Sequence, residues 1–316
     1  MTATTVDSSG APLPVTGTAA TGARRSIWRR ILAQRPAVIG LTILTFLFAI
    51  ALFADVITAY DPEVSVIGIE SREFARPRAA PCVHLLGCPV ERPEHLMGLD
   101  GSVIDEFARV VFGARVSLLI GFVTVGGAVL VGMVIGAIAG FAGGWVDNLL
   151  MRIMDMFLAF PALLLAIVIV TILGEGLLQA MTAISIVAIP VYARVMRSSV
   201  LSVREQDYVV AARALGDNPV SILVRRVLPN SLTPMIVQGT LGIGTAILEV
   251  AALSFLGLGA QPPVPEWGQM IGREYNNIQN APHLIFFPGV ALTLTVLAFN
   301  LLGDGLRDAF DPRLSR

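Results

Sequence analysis

Between Arg194 and Asn230 the chain places six arginines and three carboxylates, Glu205, Asp207 and Asp217, in a stretch flanked by long apolar runs. Guanidinium forks and carboxylates make charge-assisted contacts with another polar surface. The string from Gln206, QDYVVAARALGDNPVSILVRRVLPN, pairs no nucleophile with a base, so its chemistry is gripping rather than bond making. Elsewhere reactive groups are sparse. All 22 basic residues are arginine, which leaves neither the lysine of a Walker A loop nor that of a Schiff base. Two cysteines and three histidines remain, with no HExxH, CxxC or GxSxG string, and no catalytic residue is expected.

The elements that must position this loop are apolar. Of 316 residues 55% are hydrophobic and 14% charged, against about 25% charged in soluble domains. Mean hydropathy is +0.75, and a net charge of −1 gives no reason to expect nucleic-acid binding. Apolar runs at Val38–Val56, Val116–Phe141, Leu149–Leu173, Leu177–Met196, Leu232–Leu258 and Ile285–Leu302 are each long enough to cross a hydrocarbon core of about 30 Å. The first exceeds the ~7–15 residues of a signal-peptide core and reads as a retained anchor. The expectation is an all-α membrane protein of six transmembrane helices, with both termini on one side. Residues 1–35 form a cytoplasmic tail, disordered over the Thr-, Ala-, Ser-, Gly- and Pro-rich 1–23. Residues 36–56 are the first helix, 57–110 an external subdomain, 111–302 a five-helix core including loop 203–230, and 303–316 a cytoplasmic C-terminal tail. Arg24, Arg25, Arg29, Arg30 and Arg35, with the arginines of 194–230, put the termini and that loop inside by the positive-inside rule.

Within the loop, Gly216 can terminate a helix in the left-handed conformation, and Asn218-Pro219 supplies an N-cap followed by proline at the first helical position. Val209, Ala212, Leu215 and Tyr208 are expected on one face with Arg213 off it, and Ala211, Ala212 and Ala214 allow close approach by a partner. Leu228-Pro229 is expected to close the unit. A hairpin resting on the lipid surface is the alternative.

Asp155 and Glu249 fall in or near apolar runs, where an ionisable group costs about 2.5–3.5 kcal/mol. Asp155 is read as satisfied by a neighbouring helix. For Glu249 a place on the translocation pathway and a purely structural role stand level. Gly121, Gly126, Gly127, Gly132, Gly136 and Gly140 suggest close helix crossing, read as packing between subunits. Pro161 and Pro190 should kink their spans. Cys82 and Cys88 fit a disulfide in an oxidising compartment, with free thiols and a metal site including His84 or His95 as alternatives, although no regular ligand spacing occurs.

The segments AARALG and VLPN resemble the EAA loop of ABC-importer permeases. HLMGLD at His95, FGARVSL at Phe112, GGWVDNLLMRIMDMFLAFPALLLAI at Gly143, LSFLGLGAQPP at Leu253, PEW at Pro265 and FNLLGDGLRDAFDPRL at Phe299 resemble the C-type permease of dipeptide and oligopeptide importers. The resemblance runs from residue 36 to 315. It departs at Val210, where the family's EAA box begins with Glu, and at Val103-Ile104, where the family's GTDxxGRD string carries Gly-Arg.

The resemblance implies a type I ABC-importer permease fold and half of the transmembrane pathway of an ATP-driven peptide importer. Partners would be a B-type permease subunit, two ABC ATPase subunits, an external substrate-binding protein and the lipid bilayer. No cofactor is expected in this chain, ATP and Mg being bound by the ATPases. Coupling would fall to Glu205, Asp207, Ala211, Ala212, Arg213, Gly216, Asp217, Leu228 and Pro229, with Glu205 or Asp207 replacing the carboxylate missing at Val210. The site would be the bacterial inner membrane. The alternative from another class is an ion-gradient-driven secondary transporter of small solutes, for which Glu249 alone is a thin basis.

Overall fold

The computed structural model describes residues 31–310 apart from Arg72. Residues 1–30 of the tail expected at 1–35, and the last six residues, lie outside that range. Six passes of helix run between two polar ends. The first is α1 (Arg35–Leu52) and the second α2 (Glu106–Ala142). The third is a bent pair, α3 (Gly144–Leu158) and α4 (Ala162–Leu173). Then come α5 (Leu177–Arg204), a short helix α6 (Asp207–Ala214), α7 (Pro219–Phe255), α8 (Trp267–Glu274) and α9 (His283–Phe310). Large apolar side chains such as Phe46, Leu130 and Ile172 are exposed along the spans, where lipid rather than water covers them.

Two expectations on helix geometry change. Pro161 does not kink a span but breaks it: α3 and α4 meet at 92°. Proline has no N–H for the preceding turn and holds Phe160 away from helical angles, so the chain restarts at Ala162. Pro190, by contrast, sits inside an unbroken α5. Leu228-Pro229 does not close the polar loop, because α7 runs from Pro219 through it. Residues Leu223–Val227 widen into a π-helical turn there. The carbonyls left near Pro229 are taken up by side chains: Asn230 Nδ2 donates to Arg226 O at 2.6 Å and Ser231 Oγ to Val227 O at 2.9 Å.

The most extensive helix contact joins α2 to α5. The glycines of α2 make it possible: Gly121, Gly127, Gly132, Gly136 and Gly140 pack within this chain, not between subunits as expected, while Gly126 has no neighbour within 4 Å. A Cβ on Gly136 would meet the Ala193 carbonyl oxygen, with Met196 Cβ at 2.8 Å and Arg197 N at 2.9 Å. Gly132 and Gly140 meet the turns of α5 on either side in the same way, and Gly121 faces Ile243 and Ile247 of α7. Without a hydrophobic drive between helices in lipid, such close backbone approach is the main source of packing energy.

One polar end is a clasped layer of 58–105 and 256–282. Asp105 caps α2 by accepting from Ala108 N at 2.8 Å, which starts that helix ten residues before the expected Val116. Arg109, 1% exposed, donates to the Pro62 and Pro263 carbonyls and to Gln269 Oε1, each at 3.3 Å. Arg78 pairs with Glu274 at 2.7 Å across the same seam. Trp267 fills the notch at Gly113 and donates to Val110 O at 3.0 Å, while Glu266 caps α8 through the N–H groups of Gly268 and Gln269. Val103 adopts φ +61°, a conformation that a β-branched residue seldom takes. It is the position where the resembled family carries glycine. Val103 is held there by burial against Val66 and Leu99 and by two backbone hydrogen bonds, to Asp100 O and from Val66 N.

His95 lies in this layer between two carboxylates, Nδ1 2.7 Å from Asp105 Oδ2 and Nε2 3.2 Å from Glu70 Oε2. Tyr60 donates to Glu70 at 3.0 Å, and burial with that bond pushes its pKa up to about 12, so it stays protonated. Burial works against a charged imidazole, but the bonds to Asp105 and Glu70 outweigh it and hold the His95 pKa above its usual value.

Two predictions follow from this packing. Gly136→Ala should lower the stability of the detergent-purified protein by about 1–3 kcal/mol, because backbone of α5 must move. Gly126→Ala, with nothing within 4 Å of the new Cβ, should be neutral or gain up to ~1 kcal/mol. Equal unfolding midpoints for the two variants would refute the close-approach account. For His95 the folded pKa is raised, so its contribution is complete below the unfolded value of about 6.5 and is lost as pH rises through the folded one. Wild type should therefore lose more thermal stability between pH 6 and pH 9 than His95→Gln does; parallel curves would refute it.

Candidate functional site

At the end opposite the clasped layer, residues 205–222 form a helical hairpin. Glu205 ends α5, α6 follows, Gly216 turns the chain at φ +83°, and Asn218 Oδ1 caps the next helix by accepting from Val220 N at 2.9 Å. Pro219 occupies the first helical position, where a missing N–H costs nothing. Val209, Ala212 and Ile222 are buried and seat the hairpin on the bundle. Tyr208 and Leu215 do not join that face as expected: they are 43% and 84% exposed. With Val210, Ala211, Ala214 and Val220 they leave an outward surface that is apolar and small-residued. A helix of two turns cannot bury both its sides against one bundle, so the side not seated by Val209 and Ala212 faces out.

The charged residues around the hairpin are already arranged. Asp217 accepts from Arg226 at 2.7 Å and Glu205 from Arg204 at 2.9 Å, while Arg204 also donates to Gly140 O at 2.7 Å. Asp207, in the first turn of α6, is exposed and has no ion pair among the described residues. Arg213 and Asp217 line a cleft of about 400 Å³ with Phe141, Arg204 and Ile222. Leu228 and Pro229 lie more than two turns into the continuous α7, half-buried and exposed respectively, away from the hairpin turn.

Two acids of the bent pass are engaged by α5. Asp155 accepts from Arg194 at 2.6 Å, as the expectation of a neighbouring helix required. Asp147 takes a two-pronged bond from Arg197 at 2.5 and 2.6 Å, a pairing the sequence alone did not suggest. Glu249 differs. It has no hydrogen bond or ion pair among the described residues and lines a cavity of about 200 Å³ between α2, the α3–α4 bend, α5 and α7. Gln238, Gly242, Thr245 and Glu249 line it from one stripe of α7, a spacing of four, three and four that a helical wheel makes visible. Thr124 and Tyr192 come from other helices, and nothing in the linear order joins them to Glu249.

Cys82 and Cys88 are joined in a disulfide with Cα atoms 5.4 Å apart, under the bridge between Cys82 and His95. His84 Nε2 donates to Arg92 O at 2.8 Å, and His95 is occupied by its two carboxylates. Among the described residues no group of three or more His, Cys, Asp or Glu could hold a metal.

Comparison with known proteins is consistent along nearly the whole chain. Residues 132–316 match the family described as binding-protein-dependent transport system inner membrane component, and 23–81 match the N-terminal TM domain of oligopeptide transport permease C. The dipeptide transport system permease protein DppC of Alkalihalophilus pseudofirmus is 46% identical, covering 92% of this chain and 90% of that protein. The di/tripeptide transport system permease protein DppC of Pseudomonas aeruginosa is 41% identical, with 92% of each covered. The glutathione transport system permease protein GsiD of Pectobacterium atrosepticum is 40% identical over 92% of this chain and 91% of its own. An inward-facing form of the MetNI methionine ABC transporter superposes with a TM-score of 0.54 at 22% identity, over 65% of this chain and 98% of that one. These matches favour a permease subunit over a self-sufficient ion-driven transporter. Seated hairpin, six passes and matched segments together place the chain in the family of binding-protein-dependent transport permeases, the membrane components of ABC importers.

Proposed function

We propose that this permease forms half of the transmembrane pathway of an ATP-driven importer of short peptides, and that the 205–222 hairpin is its lever. The observation that carries the reading is the hairpin's outward face: exposed apolar and small residues on a helix whose other side is firmly seated. Such a face in water favours a partner, and the ATPase subunits of the family are that partner. Asp207 is the carboxylate left free to meet a basic residue there, in place of the acid missing at Val210, since Glu205 and Asp217 are held by arginines of this chain. Arg213 borders the cleft behind the hairpin, where a closing ATPase would press. ATP and Mg would be bound by those subunits, and this chain would supply path and linkage.

In this reading the hairpin and the N-terminus face the cytoplasm of a bacterial cell. The clasped layer with its disulfide lies outside, where oxidation is permitted and a substrate-binding protein delivers cargo. A second, B-type permease would close the other wall of the cavity. Short peptides are the cargo because the relatives named above carry dipeptides, di/tripeptides or glutathione. Closure of the ATPases on ATP would be transmitted through α6 to α5 and α7, on which the hairpin is seated, and so to the cavity walls.

Gly216→Val should leave insertion and assembly intact and uncouple transport from ATP hydrolysis, because a β-branched residue resists the φ of +83° found there. Peptide-stimulated ATPase activity in the assembled variant should fall; activity equal to wild type would sink the lever. The orientation is tested separately. A cysteine-free labelling tag inserted at position 85 should react from outside the cell, and one at 217 only after permeabilisation, whereas outside reaction at 217 would invert the arrangement and remove the ATPase contact.

A further inference from the structure

The cavity beside Glu249 has a composition that the pathway reading leaves unused. Its one acidic wall residue has no partner among the described residues, although the acids Asp147 and Asp155 in the neighbouring bent pass are each held by an arginine of α5. Thr124, which lines the same cavity and is 1% exposed, carries a hydroxyl with no hydrogen-bond partner, one of few such buried atoms among the described residues. Threonines elsewhere on the spans, such as Thr42, Thr171 and Thr182, return their hydroxyls to the carbonyl one turn back. The Thr124 hydroxyl is thus available at the cavity. The Gln238 amide and the Tyr192 side chain add further polar groups, and Phe157 adds an aromatic ring at the α3–α4 bend. No lysine or arginine lines this cavity.

A carboxylate, a hydroxyl and an amide oxygen as acceptors, with aromatic rings and no competing cation, form a site for a positive group that donates hydrogen bonds. An anion would meet uncompensated repulsion from Glu249, and an apolar group would leave that carboxylate and the Thr124 hydroxyl without a protein or ligand partner. We infer that Glu249, with Thr124 and Gln238, binds an ammonium group of the cargo during its passage. The inference rests on the peptide-importer reading. Every peptide with a free N-terminus carries such a group, and a lysine side chain carries another. The volume of about 200 Å³ is below the ~300–1,000 Å³ of complete small-molecule pockets, which suits a subsite for one end of a peptide.

The test uses the complete purified transporter in detergent without the binding protein, so that delivery does not filter the probes. Binding of dialanine, N-acetyl-dialanine and N-acetyl-alanyl-lysine is measured by calorimetry on wild type, Glu249→Gln and Glu249→Asp. Loss of one charge-assisted contact should weaken binding of an ammonium probe by about ten-fold in Glu249→Gln. The N-acetyl-dialanine value should stay the same, and Glu249→Asp should recover part of the loss. A loss for dialanine assigns the peptide N-terminus to the site; a loss for N-acetyl-alanyl-lysine alone assigns a side chain; either supports it. Equal loss for all three probes, or none for any, overturns it. Uptake of dialanine by wild-type transporter in proteoliposomes with its binding protein checks the importer reading independently, so the two can fail separately. Thr124→Val should weaken dialanine binding in the same direction, by a smaller factor, and leave N-acetyl-dialanine alone.

Discussion

Hydrocarbon gives a polar side chain nothing to bond to, and the arrangement of this protein follows from how each charge on its spans answers that constraint. The bent third pass is pinned to α5 by Arg194–Asp155 and by the two-pronged Arg197–Asp147 bond. Removing either partner of the Asp147 pair would strand a half-buried charge, which is far costlier than the pair is favourable. These two bonds therefore fix where α3 lies, and α3 leads into the break at Pro161 that opens the cavity. Glu249 departs from the pattern in the same neighbourhood. Among the described residues it has no partner, whereas Asp147 and Asp155 of the bent pass are each held by an arginine.

The helix core is held by shape as much as by charge. Gly132, Gly136 and Gly140 let α2 and α5 approach until backbone meets side chain, and Gly113 does the same for Trp267. The two ends differ in kind. The clasped layer is cross-tied by Arg109, Arg78 and a disulfide, so it is built to hold its form. The hairpin at the other end is seated by three buried side chains, and its outer surface awaits a partner. A rigid end and a partnered end, joined through continuous helices, suit a protein in which force applied at one side must alter a cavity in the middle. The π-turn at Leu223–Val227 keeps α7 continuous from the hairpin into the bundle.

Local signals were legible in the residues. Gly216 and Asn218-Pro219 marked a turn and a cap because positive φ and a missing N–H are properties of single residues. The spans were legible because their length and apolarity are one-dimensional, though their ends were not: the cap at Asp105 and the run-on of α9 to Phe310 depend on what each end packs against. The stripe Gln238–Gly242–Thr245–Glu249 was there to be read from helical spacing. Leu215 and Tyr208 were assigned to the wrong side because a two-turn helix offers the periodicity too little length to choose a face.

The sequence by itself determined the class of molecule: an all-α membrane chain, charge-poor, lysine-free, with a capped polar hairpin between apolar spans. Those features are set by composition, propensity and steric rules that act within a few residues. Only the tertiary structure decided which glycines serve packing inside the chain, which carboxylates are spent on arginines, and which remains unpaired beside a cavity. Asp147 and Arg197 are fifty residues apart, and Thr124 and Glu249 are farther still, so their relation exists only once the helices have packed. A proline likewise reads the same at 161 and at 190. One lies at a 92° break between helices and the other inside a continuous helix, a difference that the residue type alone does not carry.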